Sequence, residues 1–116
     1  MRHLESHLQQ VCVKWARLQH PVCRKLLISV PNGAHLSLMQ AKILKGEGML
    51  AGASDLLLLV PKDDVPYLAI EMKTEKGRLS EYQKEFRDAV QEQGGRYEVV
   101  RSFEEFRKLI DNYLKM

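Results

Sequence analysis

The sequence has little cysteine, no long apolar run and no large excess of charge of either sign. Its two cysteines, Cys12 and Cys23, form no CxxC pair, which argues against a disulfide framework or a cysteine metal site and favours reduced, buried thiols. The longest stretch without a polar residue, 56–61, is far shorter than the roughly 20 residues that span a membrane. The first ten residues are polar and contain no secretory apolar segment. These absences predict a cytoplasmic protein without a membrane span.

The charge balance is only mildly basic. The sequence has 18 Lys and Arg against 15 Asp and Glu, a formal net charge of +3 at pH 7. This charge is compatible with a nucleic-acid partner but does not require one, since dedicated nucleic-acid binders are usually more basic. A length of 116 residues, with 45% hydrophobic and 28% charged residues, is typical of one globular domain with its own core. We therefore predict a single domain over residues 1–116.

Hydrophobic periodicity predicts eight elements in the order helix, strand, helix, strand, strand, helix, strand, helix. Runs that are apolar on both faces indicate central strands with helices packed on either side, so we predict an α/β fold with a mixed sheet of about four strands. The predicted strands cover 26–30, 56–60, 67–72 and 97–101, and the predicted helices cover 2–19 and 36–44, run from Ser80 to Gly94, and begin again at Ser102. The helical side chains predicted to face inward are Leu4, Leu8, Val11, Trp15, Leu18, Leu36, Met39, Ile43, Leu44, Tyr82, Phe86, Ala89, Val90, Phe106, Leu109, Ile110 and Tyr113.

Two carboxylates fall on the predicted central hairpin. Asp55 precedes its first strand, and Glu71 lies within its second strand, two residues before Lys73. Side chains alternate along a strand, so Glu71 and Lys73 share a face, and a turn centred on Asp63 pairs Glu71 with Asp55. Opposed Cβ atoms lie about 4.5–5.5 Å apart, where two carboxylates repel unless a cation neutralises them. The pattern indicates metal-assisted phosphate chemistry, with a partly buried salt-bridge network as the alternative.

These residues resemble a known catalytic motif. Asp55 with Glu71-Met72-Lys73 is similar to the motif of the PD-(D/E)xK nuclease superfamily, and the surrounding residues resemble the VRR-NUC (virus-type replication-repair nuclease) domain in its short, stand-alone phage and bacterial form. The resemblance covers nearly the whole chain and departs from the family at Ser54, where Pro is usual, and at Ala34-His35-Leu36. It rests further on Pro31-Asn32-Gly33, Ala41, Leu44-Lys45, Gly48, Gly52-Ala53, Gly77-Arg78-Leu79-Ser80 and Gln83.

The resemblance implies a restriction-endonuclease-like fold and a metal-dependent, structure-selective DNA endonuclease acting on branched DNA such as Holliday junctions. Asp55, Glu71 and the backbone carbonyl of Met72 would hold one or two Mg²⁺ or Mn²⁺ ions, which prefer oxygen ligands. Lys73 would act as an electrostatic anchor for the attacking water and the phosphate. The resemblance also implies a homodimer in the cytoplasm of a bacterial or phage-infected cell. The catalytic set is Glu5, Asp55, Glu71, Lys73 and Gln83.

Two members of this set have simpler interpretations. Glu5 alone is typical of a solvated first-turn acid that favours the helix dipole. Gln83 lies three residues after Ser80, which matches a capping box. We expect that one amide cannot fully serve both the cap and the site, and we assign Gln83 to the site because the resemblance does so.

Four cations are assigned to DNA binding without chemistry: Lys42, Lys45, Lys76 and Arg78. Each is equally compatible with an ordinary solvated side chain. Three alternative functions remain open: a nucleic-acid-binding module without turnover, a flap- or end-directed nuclease, and a protein-interaction domain without a nucleic-acid ligand.

Overall fold

The computed structural model describes residues 2–31 and 36–116, with side chains from residue 4 onward. The predicted order of elements is confirmed, with one short helix added after the first. Among the described residues, no helix is both long and apolar enough to cross a membrane. The elements are α1 (Arg2–Gln19), α2 (Cys23–Leu26), β1 (Leu27–Ser29), α3 (Leu38–Gly46), β2 (Leu56–Leu58), β3 (Leu68–Met72), α4 (Glu81–Glu92), β4 (Arg96–Val100) and α5 (Phe103–Lys115).

The four strands form one mixed sheet in the order β1-β2-β3-β4. Strand β2 runs antiparallel to both β1 and β3, whereas β4 runs parallel to β3. All five residues of β3 are buried, because it is an interior strand covered by helices on both faces. The mixed four-strand sheet predicted from the sequence is therefore confirmed.

Successive side chains of β3 point to opposite faces of the sheet. Leu68 and Met72 belong to the main hydrophobic cluster, which includes residues of α1 and α5. Ala69 belongs to a second cluster with Val90 of α4. Glu71 is in phase with Ala69, so it lies on the α4 side of the sheet.

The predicted inward face of α1 is confirmed only in part. Leu8 and Trp15 pack against the core, and Trp15 contacts Phe103 and Phe106 of α5 edge to face. Leu4 and Leu18 are 65% and 71% exposed, whereas Cys12 and Ala16 are fully buried. Helix α1 contacts α5, and small side chains allow the two helices to approach closely. Both cysteines are buried and free, as predicted.

Two further predicted faces are corrected. In α3 no residue is buried, and Met39 and Ile43 are exposed. The inward-facing side chains predicted for this helix therefore do not form part of the buried core. In α4 Tyr82 and Ala89 are exposed, because only a narrow stripe of this highly charged helix reaches the sheet. That stripe is formed by Phe86 and Val90. The predicted inward face of α5 is confirmed, because Phe106, Ile110 and Tyr113 are buried.

Candidate active site

The hairpin of β2 and β3 brings the two predicted carboxylates together. Its turn is closed by a bridge between Lys62 and Val65, and Asp63 occupies the left-handed region with φ of 51°. The antiparallel register of β2 and β3, continued by one residue, places Asp55 opposite Glu71. The cross-strand pairing predicted from the sequence is therefore confirmed.

Two hydrogen bonds hold Asp55, one through its side chain and one through its backbone carbonyl. Its Oδ2 accepts a hydrogen bond of 2.7 Å from the backbone N–H of Met72. Its backbone carbonyl accepts a hydrogen bond of 2.8 Å from the N–H of Val30. The preceding Ser54 is fully buried, and its Oγ donates to the carbonyl of Leu56 at 3.1 Å. Ser54 thus stabilises the turn at the position where the family usually has proline.

Glu71 is the buried acid of the site, with only 3% of its surface exposed. Its Oε2 accepts a hydrogen bond of 3.1 Å from Nε2 of Gln83, whereas its Oε1 has no hydrogen-bond partner among the described residues. Burial raises the pKa of Glu71 far above its ordinary value, and the neighbouring charge of Asp55 raises it further, while the Lys73 ammonium opposes both effects. Burial and the proximity of Asp55 therefore both favour the protonated form of Glu71 when no cation is bound.

Gln83 caps α4 and also contacts Glu71. Its backbone N–H donates to Oγ of Ser80 at 3.2 Å, and its side-chain Oε1 accepts from the N–H of Ser80 at 2.9 Å, which completes the capping box of α4. Its Nε2 is still free to donate to Glu71. The expectation that one amide cannot serve both roles is wrong, because the oxygen and the NH₂ group of an amide are separate hydrogen-bonding groups.

Gly52 joins the loop before Asp55 to the first turn of α4. Its φ is +89°, and a Cβ at this position would lie 2.4 Å from the carbonyl carbon of Tyr82 and 2.8 Å from the backbone nitrogen of Gln83. Only glycine allows both this conformation and this approach. Gly52 therefore fixes the distance between the loop of Asp55 and the helix of Gln83.

Glu5 reaches the same region from α1. It is half-buried and lines a cavity of about 360 Å³ together with Ser6, Ser29 and Asp55. Its charge also contributes to the raised pKa of Glu71. The structure thus brings Glu5 to the carboxylates, which favours the site interpretation over that of a purely solvated first-turn acid.

The donor set fits a hard divalent cation. Within the described parts of the chain, no three His, Cys, Asp or Glu side chains form a group suited to a metal ion. Asp55 and Glu71 nevertheless supply carboxylate oxygens, and Oε1 of Glu71 is buried without a partner. Mg²⁺ characteristically binds through one or two carboxylates and keeps several waters. The backbone carbonyl of Met72 is the further protein oxygen proposed for this set.

The loop after β3 is held by an arginine that the sequence analysis missed. Nη1 of Arg101 donates to the backbone carbonyls of Thr74, at 2.9 Å, and of Gly77. This loop contains Lys76 and is followed by Arg78, and both are exposed. Because β4 is parallel to β3, its last residue lies beside this loop, and nothing in the local sequence indicates that neighbourhood.

Tyr97 is a second buried residue near the carboxylates that the sequence analysis did not assign to the site. It pairs with Ala69 in the sheet and contacts Phe86 of α4 edge to face. Its hydroxyl has no hydrogen-bond partner in the described structure. Burial raises the pKa of Tyr97, and the charges of Glu71 and Asp55 raise it further.

Lys73 and the two lysines of α3 differ in their relation to this site. Lys73 follows β3 on the same side as Glu71, and its ammonium acts on the Glu71 carboxyl. Lys42 and Lys45 are exposed on α3, and no described hydrogen bond or salt bridge connects them to the carboxylates. The structure thus unites Glu5, Asp55, Glu71, Lys73 and Gln83 and leaves the α3 lysines outside that group.

A mixed sheet between helices, with paired carboxylates and a lysine on its central hairpin, is the arrangement of PD-(D/E)xK-type nucleases. Comparison with protein families matches residues 1–104 to the VRR-NUC domain. The protein belongs to the VRR-NUC domain family, a family of nuclease domains, which implies a DNA substrate and suggests a divalent metal.

The solved structures support the fold. One described as a VRR_NUC domain protein matches with a TM-score of 0.82 and 22% sequence identity, over 96% of this chain and 88% of that chain. At this identity the likeness shows the fold alone. A search of the curated proteins finds no match.

Proposed function

We propose that the protein is a Mg²⁺- or Mn²⁺-dependent endonuclease that hydrolyses phosphodiester bonds in branched DNA, such as Holliday junctions. The observation that carries the proposal is the buried Oε1 of Glu71, which has no described hydrogen-bond partner and lies on a strand opposite Asp55. Membership of a nuclease family supports the reaction, and the resemblance to the stand-alone form supports branched DNA as substrate and a bacterial or phage-infected cytoplasm as location.

The carboxylates and one carbonyl form the proposed metal site. Asp55, Glu71 and the backbone carbonyl of Met72 would hold one or two ions, and Glu71 would have to be deprotonated to serve as a ligand. When bound, the cation stabilises charge on the scissile phosphate and makes a water more acidic. The hydrogen bond from Met72 N–H keeps the Asp55 carboxylate oriented toward this position.

The remaining polar residues position the reactants. Lys73 contributes a fixed positive charge next to Glu71 and attracts the phosphate and the attacking water. Gln83 orients Glu71 through Nε2, and its own orientation is fixed because Oε1 is engaged in the helix cap. Glu5 lines the cavity beside Asp55 and accepts hydrogen bonds from water there.

The cleavage experiment uses a panel of labelled four-way junctions, flaps, nicked duplexes and linear ends, each incubated with Mg²⁺, with Mn²⁺ or with chelator. Asp55→Asn, Glu71→Gln and Lys73→Ala are expected to reduce cleavage at least 100-fold while the fold is retained. Asp64→Asn at the exposed hairpin turn is the matched control for loss of one carboxylate.

Each outcome of the panel selects one function. Wild-type rates from Asp55→Asn, or full activity in excess chelator, would contradict the proposed mechanism. Binding without cleavage by the wild type would identify a nucleic-acid-binding module. Preferential cleavage of flaps or ends would identify a flap- or end-directed nuclease, and absence of DNA binding at any salt concentration would favour a protein-interaction domain.

Four cations are proposed to contact DNA around the site: Lys42, Lys45, Lys76 and Arg78. The hydrogen bonds of Arg101 to the loop that contains Lys76 support this role, because a restrained loop loses less entropy on binding. The double variant Lys76→Ala/Arg78→Ala is expected to weaken DNA binding and to lower the salt dependence of binding. Unchanged affinity and salt dependence would show that the footprint lies elsewhere.

We further propose a homodimer, because symmetric cleavage of a four-way junction needs two sites related by a two-fold axis. Of the two candidate surfaces, the final helix and the 36–45 helix, exposure favours the latter. Leu38 and Met39 of α3 are 92% and 74% exposed, whereas the apolar face of α5 is buried against the body of the protein.

Sedimentation at micromolar concentration and a cruciform plasmid test the dimer. The wild type is expected to sediment as a dimer and to linearise the plasmid through paired nicks. Met39→Asp is expected to yield monomers that nick the plasmid only once, whereas Gln91→Glu at an exposed position of α4 adds the same single charge and is expected to behave as the wild type does. A wild-type monomer that nicks once would contradict the dimer.

A further inference from the structure

A second, larger cavity extends from the carboxylate site along α1. It has a volume of about 610 Å³ and lies between α1, α2 and the edge strand β1. Gln9, Gln10 and Ser29 line both this cavity and the smaller one at Glu5 and Asp55. The two cavities therefore form one continuous groove, which we call the α1 groove.

The charge of the α1 groove changes sign along its length. The end at Glu5 and Asp55 is acidic, and the other end is lined by three cations, Lys14, Arg17 and Arg24, with no acidic residue among its described lining. The three residues shared by the two cavities, Gln9, Gln10 and Ser29, are polar and neutral. If a phosphate of DNA bound a cation held by the carboxylates, the phosphates that follow it along the strand would extend toward the basic end of the groove.

The three cations of the groove are not neutralised. None of them forms a salt bridge with a described residue, whereas Arg87, Arg96 and Arg107 are each paired with an acid. Their free charge is therefore available to an anionic ligand.

Two of these side chains are also held in place. Nη2 of Arg17 donates to the carbonyl of Leu27 at 2.8 Å, and Nε of Arg24 donates to the carbonyl of Arg17 at 3.1 Å. A guanidinium has five N–H donors, so each arginine retains donors for a phosphate. The arginines are thus oriented before any ligand arrives, which lowers the entropy that binding must overcome.

The length of the groove sets the position of the phosphates that it would contact. Arg17 follows Glu5 by twelve residues on one helix, a rise of about 18 Å at 1.5 Å per residue. Phosphates along one strand advance by about 3.4 Å along the axis, and because the strand also winds around the duplex, their direct separation is larger than this rise. The basic end therefore lies roughly three phosphates from the carboxylates.

We infer that the α1 groove binds the phosphodiester backbone of DNA on one side of the cleaved bond, with Lys14, Arg17 and Arg24 contacting phosphates about three positions away. This inference rests on the proposed nuclease function. It assigns the main electrostatic footprint to α1 and α2, in addition to the four cations named from the sequence.

Binding measurements in chelator separate this inference from catalysis. The full-length protein carrying Lys14→Gln and Arg24→Gln is titrated with a labelled four-way junction over a series of salt concentrations. We expect affinity to fall about tenfold at 100 mM salt and the slope of log K against log [salt] to decrease by about 1.8, since each phosphate contact contributes about 0.9. Lys108→Gln/Lys115→Gln, on exposed positions of α5 outside the groove, makes the same charge change and is expected to bind as the wild type does.

A second measurement locates the contact on the DNA. Junctions with a single neutral methylphosphonate linkage at successive positions are compared for the wild type and the double variant. A linkage roughly three phosphates from the cleaved bond is expected to weaken binding by the wild type and to have no further effect on the variant. If Arg24→Gln disturbs folding, Lys14→Gln alone is expected to give half of the change in salt slope.

Four outcomes decide the matter. Wild-type affinity and salt slope in the double variant would overturn the inference and leave the nuclease function intact. A reduced slope in a protein that cleaves no DNA would uphold the groove and refute the nuclease function. A neutral linkage that weakens binding by the variant as strongly as by the wild type would overturn the assigned position. Altered sedimentation with unaltered DNA binding would make the groove an interface between chains and would also overturn the inference.

Discussion

At the scale of single residues, the burial of Glu71 costs electrostatic free energy. It is buried beside Asp55, and both effects raise its pKa. We predict that Glu71→Gln stabilises the protein at pH 8 in chelator by on the order of 1–3 kcal/mol, since each pKa unit corresponds to about 1.4 kcal/mol. The amide oxygen can still accept from Gln83, and its NH₂ group can donate to Asp55. A large fall in the melting temperature would instead indicate a stabilising salt-bridge network.

The pH dependence of this effect has a defined sign. The folded protein holds the Glu71 proton more tightly than the unfolded chain does, because the folded pKa is raised. Wild-type stability should therefore fall as pH rises from the unfolded pKa of about 4.3 toward the raised folded pKa. The advantage of Glu71→Gln should be small at pH 4 and grow toward pH 8, as measured by thermal denaturation at each pH.

Tyr97 presents a second buried polar group without a described partner. An unsatisfied buried hydroxyl costs free energy, and its removal need not disturb packing. We predict that Tyr97→Phe raises the free energy of unfolding by about 1 kcal/mol, measured by denaturant titration. Tyr67→Phe in the same cluster is the control. Destabilisation specific to Tyr97→Phe would show that its hydroxyl has a partner such as buried water.

At the scale of elements, the first turn of α4 joins helix stability to the site. Ser80→Ala removes the cap and should cost about 1 kcal/mol while the cleavage rate per folded molecule stays unchanged. Gln83→Glu can retain the capping box, which accepts Glu at this position, but it replaces the donor to Glu71 by a further carboxylate. We expect it to lower cleavage at least tenfold with little loss of helix, measured by circular dichroism and junction cleavage. Equal loss of activity in Ser80→Ala would show that the cap alone governs the site.

The contact between the loop of Gly52 and α4 leads to a separate prediction. Gly52→Ala would place a Cβ 2.4 Å from the backbone of Tyr82, so we expect a loss of about 3 kcal/mol from strain and overpacking combined. Gly48→Ala is the matched control, because Gly48 also has a positive φ, of 112°, but has open space where the Cβ would lie. It should cost only about 1 kcal/mol. Equal losses in denaturant titrations would indicate that backbone conformation, not the close approach, makes glycine necessary.

At the scale of the whole molecule, the proposed metal site should couple to global stability. A cation at 100 times its Kd stabilises the folded state by about 2.7 kcal/mol, and Mg²⁺ or Mn²⁺ should therefore raise the wild-type melting temperature by roughly 10 °C for a domain of this size. The rise should be smaller at pH 6 than at pH 8, because Glu71 must lose its proton to bind the ion. Asp55→Asn should abolish the rise, and Asp64→Asn should retain it. An equal rise in Asp55→Asn would locate the bound ion elsewhere.

The order of the elements and the pairing of Asp55 with Glu71 could be predicted from the amino-acid sequence. Both follow from local regularities: the period of apolar residues distinguishes helices from strands, and the alternation of side chains fixes which residues of a hairpin share a face. The cap of Gln83 on Ser80 is similarly local. These features need no knowledge of what packs against the hairpin or the helix.

The tertiary structure alone decided which surfaces those elements bury. Helix α1 buries Cys12 and Ala16 completely and leaves Leu4 and Leu18 exposed, because close approach to α5 selects small residues. Arg101 reaches the loop after β3 only because β4 lies parallel beside that strand. The α1 groove likewise arises where a helix, an edge strand and a short second helix meet. The first two contacts join residues distant along the chain, and the groove depends on how three consecutive elements pack together, so no local pattern of residues encodes any of them.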